Sequence, residues 1–154
     1  MQLTMKEKKF TIRDSFRIQD GSGADKYQVS GELLSTTKTL HIKTMDGVEV
    51  AYIQEKLISL KPKFYFFVNG EKVGEIVRDG ALIGSKYHIS GLDWKIKGDI
   101  HDHKYSILEG KKTIVTVKRK RLALTGTYIF DIEDEAKEVP ALAAVLAIDY
   151  ITSN

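Results

Sequence analysis

The chain has no cysteine, which removes disulfides, thiolate metal sites and cysteine nucleophiles from consideration. Only two of its 154 residues are proline, so few segments are barred from the interior of a hydrogen-bonded sheet. Charge of one sign is also missing: 24 basic and 21 acidic side chains leave a net charge of +3. Nucleic-acid binders carry a clustered basic face, and this balance argues against that class of partner. The longest apolar run, Val139–Ile148, is interrupted by Pro140 and falls far short of the roughly 20 residues needed to cross a bilayer. The opening MQLTMKEKKF is charged and has no apolar centre, so it does not read as a signal peptide. The expected location is the cytoplasm, with peripheral membrane contact if the surface binds lipid. No Gly-x-Ser-x-Gly elbow offers a serine nucleophile, and no Walker-type or dinucleotide glycine loop is present. No cofactor, metal or enzymatic activity is expected on these grounds.

What remains is an ordinary globular composition, 42% hydrophobic and 29% charged, sufficient for one domain over residues 1–154 with a genuine core. Most of the chain alternates with period two, the mark of half-buried strands. Phe10, Ile12, Phe16 and Ile18 share one parity, as do Val48, Val50 and Tyr52, and later Tyr128, Phe130 and Ile132. Between the runs lie Asp20-Gly21, Asp46-Gly47, Asn69-Gly70 and Asp79-Gly80, pairs suited to hairpin turns. Ten to twelve antiparallel strands are predicted. Trp94, Tyr65 and Phe66 are assigned to the core.

The last segment follows another rule. Glu133, Asp134, Glu135 and Glu138 precede Pro140 and a run rich in Ala and Leu. Acidic residues favour the positive end of a helix, and proline is tolerated in its first turn. From Ala141 to Ile151 only Asp149 is strongly polar, so the predicted helix over 139–151 must be enclosed on every side. A sheet wrapped around it meets that need, which leaves little room for an internal ligand cavity.

Two segments echo each other. Tyr27-Gln28-Val29-Ser30-Gly31 returns as Tyr87-His88-Ile89-Ser90-Gly91, and Ile53–Val68 aligns without gaps to Val117–Ile132. In the second pair Lys56, Leu60 and Phe66 recur as Lys120, Leu124 and Phe130, and Pro62 falls opposite Gly126. Similar halves over about 5–78 and 79–138 are expected, too few for a solenoid but suited to a closed sheet without free edges. The order of Tyr-x-Ile-Ser-Gly, Lys97-Gly98-Asp99, Glu109-Gly110 before a valine-rich strand, and the closing Ala147-Ile148-Asp149-Tyr150-Ile151 resembles the LURP-one-related family. That family shares the tubby C-terminal-like fold with tubby and the phospholipid scramblases, and the resemblance runs over about residues 5 to 152. It implies a mainly β protein: a closed antiparallel barrel of twelve strands, built from two similar halves around a central hydrophobic helix.

Two stretches carry candidate chemistry. His101-Asp102-His103 would put both imidazoles on one face if it were a strand, where they could ligate a metal with His41 or His88 recruited from elsewhere. It is expected in a loop before Tyr105, and it supports only the alternative reading of an enzyme or metal-binding protein. Lys118-Arg119-Lys120-Arg121 is the strongest basic cluster. Val115 and Val117 share one parity, Leu122 and Leu124 the other, so a bend or bulge is expected within the four residues, setting them at an exposed corner. Such a corner is either a solvated turn near Glu133–Glu135 or a docking point for phosphate groups. The resemblance to tubby domains, which bind phosphoinositides, favours an anionic phospholipid, with a protein partner as the other possibility.

Overall fold

The computed structural model describes residues 1–6, 15–34, 37–56, 63–79, 86–122 and 125–153. Phe10, Ile12, Leu60, Pro62, Gly80 and Leu124, used in the sequence reading, lie outside them. Twelve strands follow one another: β1 (Gln2–Lys6), β2 (Ser15–Asp20), β3 (Asp25–Leu34), β4 (Thr37–Thr44), β5 (Glu49–Lys56) and β6 (Lys63–Val68). Then come β7 (Glu71–Asp79), β8 (Lys86–Ser90), β9 (Trp94–Asp99), β10 (Lys104–Glu109), β11 (Lys112–Leu122) and β12 (Thr125–Ile132). Each pairs antiparallel with its neighbour in sequence, and β1 pairs with β12 to close the barrel. The predicted fold class is therefore the observed one.

The hairpins turn where local chemistry permits. Asn69 (φ 50°) and Gly70 (φ 81°) both adopt left-handed backbone between β6 and β7, the requirement of a two-residue turn that matches strand twist. Asp20 works differently. Its carboxylate accepts from Ser22 N at 2.9 Å and Ala24 N at 3.1 Å, so the turn is longer and Gly23 (φ 87°), rather than Gly21, takes the left-handed position.

Alternation sets the core. Leu3, Ile18, Val29, Ile42, Phe66, Ile107, Val115 and Ile132 all face inward and are buried. Eight strands make a barrel that side chains alone can fill; twelve leave more room, and a helix occupies it. Asp134 caps a short 3₁₀ turn, Glu135–Lys137, by accepting from Ala136 N. Helix α1 (Glu138–Ser153) follows, slightly longer at both ends than predicted. Every residue from Ala141 to Tyr150 is buried. Burying Leu142, Leu146 and Ile148 alone contributes about 1.5–3 kcal/mol each.

Both ends of the helix are tied to the wall. At its start, Lys26 Nζ lies 2.8 Å from the Glu138 carboxylate, and the Tyr27 hydroxyl donates to the same group. At its far end, the Tyr150 hydroxyl donates to Glu55 at 3.1 Å. Tyr27 thus anchors the helix, whereas Tyr87 lies half-buried on β8, so the two Tyr-x-x-Ser-Gly segments have different settings. Trp94 and Phe66 are buried as predicted. Tyr65 is not: it is half-exposed, with Lys72 Nζ 4.3 Å from its ring centroid. It alternates with Phe64 and Phe66, and a strand cannot send neighbouring side chains to the same face.

One part of the wall is thin. Strands β8 and β9 share a single residue pair, Ile89 with Trp94. On their other sides each is fully laddered, β8 to β7 and β9 to β10.

Candidate functional site

The expected bend within Lys118–Arg121 does not occur. β11 pairs with β12 from Val115 through Leu122 without a register shift. The inward parity of Val115 and Val117 passes to Arg119, whose guanidinium carbon lies 5.9 Å from the centroid of the buried Tyr128 ring. An arginine can hold an inward position where its head meets an aromatic face, and for that reason no parity change is needed. Lys118 and Lys120 are exposed. Arg121 continues the strand opposite Gly126. Lys118 and Lys120 on one face and Arg119 on the other therefore do not form one corner. Among the described residues the acidic segment does not meet them: Asp134 binds Lys112 at 3.0 Å instead.

The outer face of β9–β11 gathers a different set. Ser106 is paired with Lys97 on β9 and with Thr116 on β11, and the two hydroxyl oxygens are 3.2 Å apart. Lys104 and Lys118 stand two residues along from Ser106 and Thr116, on the same face by strand periodicity. Together they line a surface concavity of about 580 Å³, which Leu108 also lines. Lys104 is a cross-strand neighbour of Lys118 and a diagonal neighbour of Lys97, about 5–8 Å apart at Cβ, while Lys97 and Lys118 face each other across β10. The long side chains of all three can reach one phosphate-bearing group held over β10. Lys97, Lys104 and Lys118 have no carboxylate partner among the described residues. The nearby Asp99 is occupied by its own loop, accepting from His101 N at 3.0 Å and Asp102 N at 3.1 Å.

Gly98 makes the close approach of β9 and β10 possible. Its φ is +115°, and a Cβ there would stand 2.6 Å from Lys104 O and 2.9 Å from Tyr105 Cα. Only glycine fits both the backbone angle and the gap.

His101-Asp102-His103 forms the turn between β9 and β10, as expected, but its two imidazoles part company. His101 and Asp102 are exposed. His103, with φ 54°, turns inward; its Nδ1 is 3.6 Å from Asp149 Oδ1 on the helix, and its ring is 4.9 Å from that of Tyr128. Burial, with Asp149 adding to it, pushes the neighbouring Tyr105 hydroxyl far above its usual range. This pair pins the turn over the helix end. His41 cannot complete a metal set with it, because His41 sits on β4 with Nε2 2.9 Å from Glu32 and Nδ1 on Glu49. No group of three or more metal-binding side chains converges among the described residues, and no helix there is long and apolar enough to cross a membrane.

Sequence reasoning found Lys118 but missed Lys97 and Lys104, and it did not use Ser106 and Thr116. The available signal was parity: Tyr105 and Ile107 inward require Lys104 and Ser106 outward.

Three comparisons bear on this architecture. The family model described as LURP-one-related matches residues 1–149. The uncharacterized protein YxjI of Bacillus subtilis strain 168 is 27% identical over 154 residues, spanning 100% of this chain and 95% of the relative. An X-ray structure of a protein from Arabidopsis thaliana superposes with a TM-score of 0.59, covering 96% of this chain and 91% of that one at 13% identity. At that identity the likeness is one of fold.

Proposed function

The chain belongs to the LURP-one-related family, and from that premise we propose that it is a non-enzymatic binding module whose outer β9–β11 face takes a phosphate-bearing headgroup of an anionic lipid. The supporting observation is the concavity itself: Lys97, Lys104 and Lys118 around the paired hydroxyls of Ser106 and Thr116. Ammonium groups supply charge, and the hydroxyls supply directional hydrogen bonds to phosphate oxygens. Of the basic cluster, Lys118 and Arg119 line the concavity, Arg119 with its head 5.9 Å from the Tyr128 ring centroid, and Lys120 is exposed beyond it on the face of Lys118.

Magnitudes favour a specific headgroup over a merely anionic surface. Each lysine near such a surface contributes about 1 kcal/mol. Four would therefore give about 4 kcal/mol, a dissociation constant near 1 mM. Useful affinity then requires a headgroup with several phosphates, able to engage the lysines and the hydroxyls together. The expected location is peripheral at a cytoplasmic membrane face.

The test is vesicle flotation with neutral phosphatidylcholine, with and without a phosphoinositide, using wild type and Lys97→Glu/Lys104→Glu/Lys118→Glu. All three side chains are exposed, so circular dichroism should match wild type. Wild type is expected to float only with phosphoinositide, at least tenfold more than the triple variant. Competition by a soluble inositol polyphosphate separates headgroup recognition from membrane insertion. If the two proteins float equally little, the reading is wrong.

A further inference from the structure

Among the described residues, the seam between β8 and β9 is open toward one barrel end. Register continued from Ile89–Trp94 would set His88 against Lys95, Tyr87 against Ile96 and Lys86 against Lys97, yet none of these pairs forms. The exposure of the inward side chains gives an independent sign of the same gap. Tyr87 and Ile96 have inward parity, but both are only half-buried, unlike Ile89 and Trp94 beside them. Trp94, at the single pair, also carries a buried indole N–H without an acceptor among the described residues.

We propose that this seam accepts an extended polypeptide segment from a partner, pairing with the facing edges of β8 and β9. Backbone N–H and C=O groups on a strand edge favour another strand as partner. The chemistry of the two faces specifies its side chains. Inward positions would cover Tyr87 and Ile96 and should be apolar. Outward positions would lie beside Lys95 and Lys97, which are exposed and have no carboxylate partner among the described residues. The partner is therefore a short segment, about five residues as strands go, alternating apolar and acidic. A strand of opposite charge would meet like charges, which are destabilising across a sheet.

Trp94 is the chain's one tryptophan, so its emission reports on the seam directly. The probe is an end-blocked peptide of alternating Glu and Val, compared with a Lys-Val peptide and with Glu-Val methylated at alternate backbone nitrogens. The expected result is a saturable shift in Trp94 emission with Glu-Val. Methylation should weaken binding at least tenfold, and Lys-Val should give no response. Lys95→Glu should weaken the peptide and leave lipid flotation unchanged, whereas Lys118→Glu should do the reverse. The proposal is overturned if there is no saturable response to Glu-Val at 1 mM, on the order of the weakest affinity worth calling binding. Equal binding by the methylated peptide would also overturn it, because the backbone would then play no part.

Discussion

Replacing Gly98 by alanine perturbs the candidate site where two of its three lysine strands, β9 and β10, meet. The cost has two parts. A non-glycine residue at φ +115° pays backbone strain of about 1–3 kcal/mol. The new methyl also meets Lys104 O at 2.6 Å and Tyr105 Cα at 2.9 Å, and forcing extra atoms into such a gap costs about 1–3 kcal/mol more. Gly98→Ala should therefore destabilise by about 2–6 kcal/mol. For a chain of this size each kcal/mol lowers Tm by about 2–4 °C, so a loss of about 4–24 °C is expected. Gly110 provides the control, since it too has positive φ (+61°) but nothing within 4 Å of its would-be Cβ. Gly110→Ala should pay only the left-handed penalty, about 1–2 kcal/mol. Urea denaturation followed by circular dichroism measures both. Because the backbone of Lys104 must move aside in Gly98→Ala, the variant should also lose headgroup binding relative to Gly110→Ala. Equal stability of the two variants would refute the close-approach reasoning.

Alkaline titration offers a second check. Burial, and then the carboxylates they touch, raise the hydroxyls of Tyr27 (by Glu138) and Tyr150 (by Glu55) well above their ordinary value; Tyr105 is raised as well. A group whose folded pKa is raised contributes stability that is complete below its unfolded pKa, about 10 for tyrosine, and declines as pH rises beyond it. These three should ionise only together with unfolding, so tyrosinate absorbance should account for fewer than all seven tyrosines before the circular dichroism signal is lost. Full ionisation with the fold intact would contradict their burial. A third prediction concerns the helix: removing residues 139–154 takes the filling out of the lumen, and no cooperative thermal transition should remain. A soluble, cooperatively melting truncate would show that the barrel is stable without it.

The barrel and its helix were legible because both are written in local periodicity. Alternation over β2, β5, β11 and β12 reveals strands one at a time, and an apolar run with no polar face can be satisfied only by full enclosure. The concavity was not legible in the same way. Lys97, Lys104 and Lys118 are spread over 22 residues of chain, and they meet only because β9, β10 and β11 are neighbours in a particular register. Arg119 misled the reading for a related reason: the parity change from Val115 and Val117 to Leu122 and Leu124 implied a bend, while the Tyr128 ring that lets Arg119 keep the inward parity is contributed by another strand. His103 points inward through a left-handed backbone angle that the sequence around it does not announce.

Placing the filling after all twelve strands in chain order has a consequence for time rather than shape. During synthesis the wall emerges first, at about 5–20 residues per second. Until α1 follows, the strands it packs on, β5 and β6 above all, lack that cover. β1 must likewise wait for β12, the strand most distant from it in sequence. Contacts of such long range form late and slowly. The nascent barrel therefore spends seconds with its apolar lining uncovered, a period in which chaperones or self-association compete for the surface that α1 will later occupy.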